Sequence, residues 1–170
     1  MSKMKTMEDF LMDELKDIYS SEDQLITALP KIAKAAASAD LIQAFENHVK
    51  ETECKVERLN KISKLAGNRE LTGRICLAME GLIKEGSQIA EENCTPEVRD
   101  VALIAFAQKV EHHEIAAYGC AKTYARLLGY TEVEELLQES EKEEITSDKR
   151  LVALAKATNA NAMETREASV

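Results

Sequence analysis

Residues 11–29 read LMDELKDIYSSEDQLITAL, and the spacing of their apolar side chains indicates the fold class. Its apolar residues recur in steps of three and four, at positions 11, 15, 18, 25 and 29, which is the spacing of one face of an α-helix. The same spacing predicts an inward-facing residue at position 22, and that residue is Glu22. The stretch is therefore predicted to be a helix with an apolar stripe that carries one carboxylate at its centre.

Helix start and stop signals divide the rest of the chain. Capping-box sequences at Thr6–Asp9 and Thr131–Glu134 and a Thr95-Pro96-Glu97 start signal mark three helix N-termini. Gly67 and Gly129 mark two helix C-termini. The start and stop signals, together with the apolar stripes between them, predict four long helices and one short helix.

The predicted fold class is all-α: a ferritin-like antiparallel four-helix bundle with an additional short helix, five helices in all. The short helix is expected at about residues 73–92, and Pro30 is expected to bend or break the first long helix. Residues 1–159 are predicted to form the bundle domain. Residues 160–170 are small and polar and are predicted to form a flexible C-terminal tail.

Composition limits the function. The net charge of −9 disfavours nucleic acid and anionic membrane surfaces as partners, and no apolar run approaches the length of a membrane span. The four cysteines show no CxxC spacing, so they are expected to be reduced, small buried residues. With no signal-peptide pattern at the N-terminus, the expected location is the cytoplasm.

Each long helix carries a carboxylate near its middle, on its predicted inward stripe. Several unpaired carboxylates buried together would cost many kcal/mol, and a cation among them removes that cost. Carboxylate and imidazole ligands favour one or two Fe or Mn ions, with no organic cofactor. The candidate metal ligands are Glu22, His48, Glu51, Glu111, Glu114 and Glu144.

Two other interpretations of these residues stay open. Any single glutamate at such a position is explained by a boundary site from which its carboxylate reaches solvent. The glutamates are also explained by pairing with Lys, Arg or His inside a metal-free bundle. Of the adjacent His112 and His113, only one is able to face inward, and His113 is expected on the surface.

Several motifs resemble the YciE/YciF family of bacterial stress-response proteins, and more closely its YciF branch. They include Tyr19-Ser-Ser-Glu-Asp-Gln-Leu25, Ala44-Phe-Glu-Asn-His48, Ala107-Gln-Lys-Val-Glu-His112 and Glu143-Glu144. The resemblance implies a ferritin-like fold related to rubrerythrins, a homodimer and a role in stress responses. It implies no settled enzymatic activity.

The chain departs from the wider di-iron pattern, in which two helices carry Glu-x-x-His. Here Glu51 is followed three residues later by Cys54, and Glu144 by Ser147. The sequence therefore predicts a stress-response protein with a carboxylate-rich metal site that handles peroxide or metal ions. The alternative is a metal-free structural or interaction protein that acts through its homodimer surface. A storage cage or DNA-protecting shell is disfavoured because the chain lacks a long basic tail.

Overall fold

The computed structural model describes residues 4–167, with side chains described through residue 164. All regular secondary structure in that range is α-helical, which confirms the predicted all-α fold with five helices. The helices are α1 (Met7–Ala33), α2 (Ala39–Leu65), α3 (Leu77–Glu91), α4 (Pro96–Leu127) and α5 (Thr131–Glu167).

The four long helices form a closed bundle. Helix α1 packs against α2, α2 against α5, α5 against α4, and α4 against α1, so each long helix has two neighbours. The short helix α3 lies outside this ring and contacts α1 and α4. None of the helices in residues 4–167 combines the length and apolar character that crossing a membrane requires.

Two apolar clusters form the core, one towards each end of the bundle. The first surrounds Phe45 and Phe106, and the second surrounds Leu15 and Leu59. On every long helix the buried residues change from one cluster to the other near the middle, and buried polar side chains occupy the interval. The fold therefore places a polar layer between two apolar ends.

The first helix shows no break at Pro30, where a bend or a break was predicted. Helix α1 passes through Pro30 without a break and ends three residues later at Ala33. Proline removes one backbone donor, but here that loss falls in the last turns of the helix. The adjacent Leu29 and Ile32 are buried in the core, and their packing holds this turn in place.

The end of the chain also differs from its prediction. Helix α5 continues through residues 160–167, where a flexible tail was expected. This segment contains Ala, Met, Glu and Arg, which favour helix even where little of the surface is buried. Residues 168–170 of the predicted tail lie outside the described residues.

Candidate metal centre

The polar layer contains four buried carboxylates and two buried basic side chains. Helices α1, α2, α4 and α5 all contribute to it. Each of these six side chains is at most 6% exposed, and Lys55 is fully buried. The residues are Glu22, His48, Lys55, Glu111, Glu114 and Glu144.

His48 lies between two of the carboxylates. Its Nδ1 atom is 3.1 Å from Glu111 Oε1, and its Nε2 atom is 3.5 Å from Glu114 Oε2. Ser147 donates a hydrogen bond of 2.6 Å to Glu111 Oε1. The imidazole and the hydroxyl therefore fix the orientation of the Glu111 carboxylate, whose second oxygen has no hydrogen-bond partner.

Lys55 lies between the other two carboxylates. Its ammonium group forms an ion pair with Glu144 Oε1 and lies 3.8 Å from Glu22 Oε2. The Tyr118 hydroxyl donates a hydrogen bond of 2.5 Å to the other oxygen of Glu22. A lysine ammonium thus supplies the positive charge that these two buried carboxylates need.

Several buried polar atoms of the layer have no hydrogen-bond partner among the described residues. They are Glu22 Oε2, His48 Nε2, Glu111 Oε2 and both oxygens of Glu114. A buried polar atom without a partner costs about 1–3 kcal/mol, and more if it is charged. One potential ligand atom from each of His48, Glu111, Glu114 and Glu144 lies within 4.8 Å of the other three. This arrangement has the donors, burial and size for one cation.

Burial and repulsion between carboxylates raise the pKa values of two glutamates in the layer. Burial raises the pKa of Glu22 from 4.5 to about 8, and the nearby Glu114 charge acts in the same direction. Burial and the Glu114 charge also raise the pKa of Glu144 well above 4.5, although Lys55 opposes them. In the absence of metal, the layer therefore retains protons that free glutamates would lose.

The pKa values of His48 and Glu111 shift in opposite directions. Burial alone would lower the pKa of His48, but the Glu111 and Glu114 carboxylates raise it well above 6.5. Burial alone would raise the pKa of Glu111, but the charge and hydrogen bond of His48 hold it below 4.5. His48 and Glu111 therefore form an ion pair.

The structure brings together five of the six predicted ligands and excludes Glu51. The buried residues of α2 fall at positions 41, 45, 48, 52, 55, 59 and 62, and Glu51 precedes Thr52 by one residue, about 100° around the helix. Its side chain is 30% exposed and pairs with Arg150 at 2.8 Å. Glu51 therefore lies outside the cluster that the other predicted ligands form, because its position on α2 turns it away from the bundle centre.

Lys55, Tyr118 and Ser147 were missed as partners of the glutamates. Lys55 carried a usable signal, because position 55 continues the buried spacing of α2. Lysine is almost never fully buried without a partner, so a lysine at an inward position indicates a buried carboxylate nearby.

A narrow cavity of about 40 Å³ reaches the layer between α2 and α5. His48, Glu111 and Ser147 line its inner part, and the Glu51–Arg150 pair lies at the solvent side. This volume admits water-sized molecules.

Comparison with known proteins identifies the family. Residues 6–164 match the family described as a domain of unknown function, DUF892. The chain belongs to this family. It is also 45% identical over 152 residues to Protein YciF of Escherichia coli strain K12, which covers 89% of this chain and 92% of that protein. The resemblance to YciF seen in the sequence motifs is therefore confirmed.

Solved structures agree with the family assignment. The crystal structure of the E. coli stress protein YciF matches with a TM-score of 0.90 and 44% identity, over 92% of this chain and 99% of that chain. YcfI from Rhodopseudomonas palustris, described as a candidate structural protein, matches with a TM-score of 0.85 and 39% identity, over 88% and 95%. A Xanthomonas campestris protein shares the fold at 21% identity and a TM-score of 0.73, over 95% and 99%.

Proposed function

We propose that this YciF homologue is a cytoplasmic, ferritin-like stress-response protein that binds one divalent metal ion in the middle of its bundle. His48, Glu111, Glu114 and Glu144 would hold the ion. Two observations carry the proposal: one potential ligand atom from each of these four buried residues lies within 4.8 Å of the others, and Glu111 and Glu114 have buried oxygens without a hydrogen-bond partner among the described residues. A proposed role in handling peroxide or metal ions follows from this site and from the homology to a stress protein.

The donor set favours Mn²⁺ or Fe²⁺. One imidazole with several carboxylates is a hard oxygen-rich environment, and this cluster contains no thiolate. When bound, such an ion supplies Lewis acidity, and Fe or Mn also supplies one-electron redox chemistry. Ser147 would orient Glu111 as a ligand, and Tyr118 holds Glu22, which lies beside Lys55 and outside the ligand set. Lys55 supplies the second positive charge, so we propose one ion and not two.

Metal content tests this proposal. We expect untagged wild-type protein, purified without chelator, to bind about one Mn²⁺ per chain in calorimetric titrations. Glu114→Gln should weaken Mn²⁺ binding at least tenfold, because even residues that only orient a ligand contribute 10–100-fold to affinity. Glu51→Gln is the matched control: it makes the same chemical change at a predicted ligand that lies outside the cluster, and it should bind Mn²⁺ like wild type.

A wild-type protein that binds no Mn²⁺, or a Glu114→Gln variant that binds it as tightly as Glu51→Gln, would contradict the metal proposal. Circular dichroism of each variant checks that a loss of binding reflects a lost ligand and not a lost fold.

A metal-free structural or interaction protein is the second candidate function. It is favoured by the ion pair between Lys55 and Glu144, which neutralises part of the buried charge without metal. The description of R. palustris YcfI as a candidate structural protein points the same way. In this case the functional surface would be that of a homodimer.

We propose the homodimer for either function. Sedimentation equilibrium at micromolar concentration should return twice the 18.9 kDa chain mass, and the mass should stay the same after chelation because the metal layer lies inside one bundle. A single species at 18.9 kDa would refute the homodimer.

A further inference from the structure

A second group of potential ligands lies outside the polar layer, where α3 begins. It combines Asp17 from α1, Cys76 immediately before α3, and His113 from α4. One ligand atom from each lies within 4.8 Å of the others, and Cys76 Sγ is 3.5 Å from His113 Nε2. The thiol, the imidazole and the carboxylate thus converge from three separate helical elements.

The backbone fixes the position of the thiol. The Cys76 amide donates to Ser20 Oγ at 3.0 Å, and its carbonyl accepts from Gln24 Nε2 at 3.1 Å, so α1 holds this residue on both sides. Cys76 is fully buried, whereas Asp17 and His113 are half-buried and open to solvent on one side. The geometry is therefore set by the fold and is not a chance meeting of surface side chains.

The exposure of the cysteines and of His112 and His113 differs from the sequence prediction. All four cysteines lie in the described part of the chain: Cys54 and Cys120 are exposed, Cys94 is half-buried and Cys76 is buried. His112 is the exposed member of its pair, and His113 is half-buried against Cys76. Because His113 and Glu114 are consecutive residues of α4, they project about 100° apart and serve different sites.

We infer that Asp17, Cys76 and His113 form a second metal site, suited to Zn²⁺ or a similar borderline-soft divalent cation. Zinc binds sulfur at about 2.3 Å and imidazole nitrogen at about 2.0 Å, which places the two atoms about 3.5 Å apart in a tetrahedral site. The observed Sγ–Nε2 distance is 3.5 Å. Three protein ligands leave the fourth position to water, which reaches the site past the half-buried residues.

Arg74 contacts one oxygen of Asp17. Its Nε donates to Asp17 Oδ1 at 2.7 Å, so we assign the metal bond to Asp17 Oδ2. On binding, the Cys76 thiol proton passes to solvent and the thiolate bonds to the ion. The ion would then link α1, α4 and the residue at the start of α3, and so hold the short helix α3 against the bundle.

Co²⁺ is the probe, because a thiolate ligand gives a near-ultraviolet charge-transfer band that the thiolate-free polar layer lacks. We expect full-length wild type to develop this band when Co²⁺ is added and to lose it on addition of Zn²⁺; because the polar layer would also take Co²⁺, the band and not the total Co²⁺ bound reports on this site. Cys76→Ser should abolish the band, whereas Cys120→Ser, at an exposed cysteine of α4, should retain it. His113→Gln should weaken Co²⁺ binding at least tenfold; because His113 is half-buried, this variant retains the fold even if Cys76→Ser does not.

No band in wild type, an undiminished band in Cys76→Ser, or unchanged binding by His113→Gln would overturn the second site. The Glu114→Gln variant separates the two proposals, because it should keep the cobalt band whether or not it loses Mn²⁺ binding. A wild-type Mn²⁺ affinity in Glu114→Gln, together with an intact cobalt band, would reject the central site and support this one.

Discussion

Replacing Lys55 with Met is expected to lower the free energy of unfolding of the metal-free protein by about 3–5 kcal/mol at pH 8. The Lys55 ammonium is fully buried, pairs with Glu144 and lies 3.8 Å from Glu22. Methionine fills a similar volume but leaves these carboxyl groups without their cation. The loss should be smaller at pH 5, because both acids have raised pKa values and take up protons there.

Urea unfolding in chelator measures this effect. Lys61→Met is the matched control, since Lys61 is an exposed lysine on the same helix, and it should change stability by no more than about 0.5 kcal/mol. The double variant Lys55→Met with Glu144→Gln should recover most of the loss, because the orphaned charge is removed with its partner. If the Lys55→Met and Lys61→Met variants had the same free energy of unfolding, the Lys55 ammonium would not be neutralising buried negative charge in the polar layer.

Much of the fold was predictable from local signals. The capping box at Thr6 forms as expected, and Thr95 caps α4 by accepting from the Val98 amide. The inward positions of Glu22 and Glu144 followed from the three-and-four spacing of their apolar neighbours. These predictions succeed because helix spacing alone decides which side of a long helix faces the core.

The partners of the glutamates were less predictable. Glu51 was placed among the ligands because it follows His48 by three residues, but the buried spacing of α2 runs through Thr52 and Lys55. Testing every helix position against the full buried stripe would have excluded Glu51 and included Lys55. Pairing with a lysine was one of the open interpretations, and the missing step was to identify Lys55 as that lysine from its position on the buried stripe.

The meeting of Asp17, Cys76 and His113 was beyond sequence reasoning. No spacing rule links these three residues, which come from three different elements. Their contact depends on how α3 lies across α1 and α4 and on the Ser20 and Gln24 hydrogen bonds that fix Cys76. Packing of one helix across two others leaves no periodic pattern in the sequence from which these contacts could be predicted.

The stability of the metal-free protein should fall as the pH rises from 5.5 to 8. A group with a raised pKa in the folded state holds a proton that the unfolded chain has lost, so it stabilises the fold at low pH and this contribution is lost as pH rises. Glu22, with its pKa raised from 4.5 to about 8, acts in this direction across the whole window. Glu144 and His48 have raised pKa values and act in the same direction.

Glu111 contributes to stability with the opposite pH dependence, but its effect lies below the range of pH 5.5 to 8. Glu111 has a lowered pKa, so its stabilisation is present above pH 4.5 and is lost only as the pH falls further. Each proton held by the folded state alone changes the free energy of unfolding by about 1.4 kcal/mol per pH unit. We therefore expect a fall of at least about 2 kcal/mol between pH 5.5 and 8 in urea unfolding with chelator present.

Glu22→Gln should flatten this dependence, because glutamine keeps the shape of the protonated acid at every pH. The variant should be more stable than wild type at pH 8 and within about 0.5 kcal/mol of it at pH 5, whereas Glu46→Gln, at an exposed glutamate of α2, should keep the wild-type slope. Saturating Mn²⁺ should reduce the slope in wild type, because the cation replaces the protons that the layer otherwise retains. A metal-free wild type whose stability stays level or rises over this range would show that these carboxyl groups ionise normally and that the layer needs neither protons nor a metal.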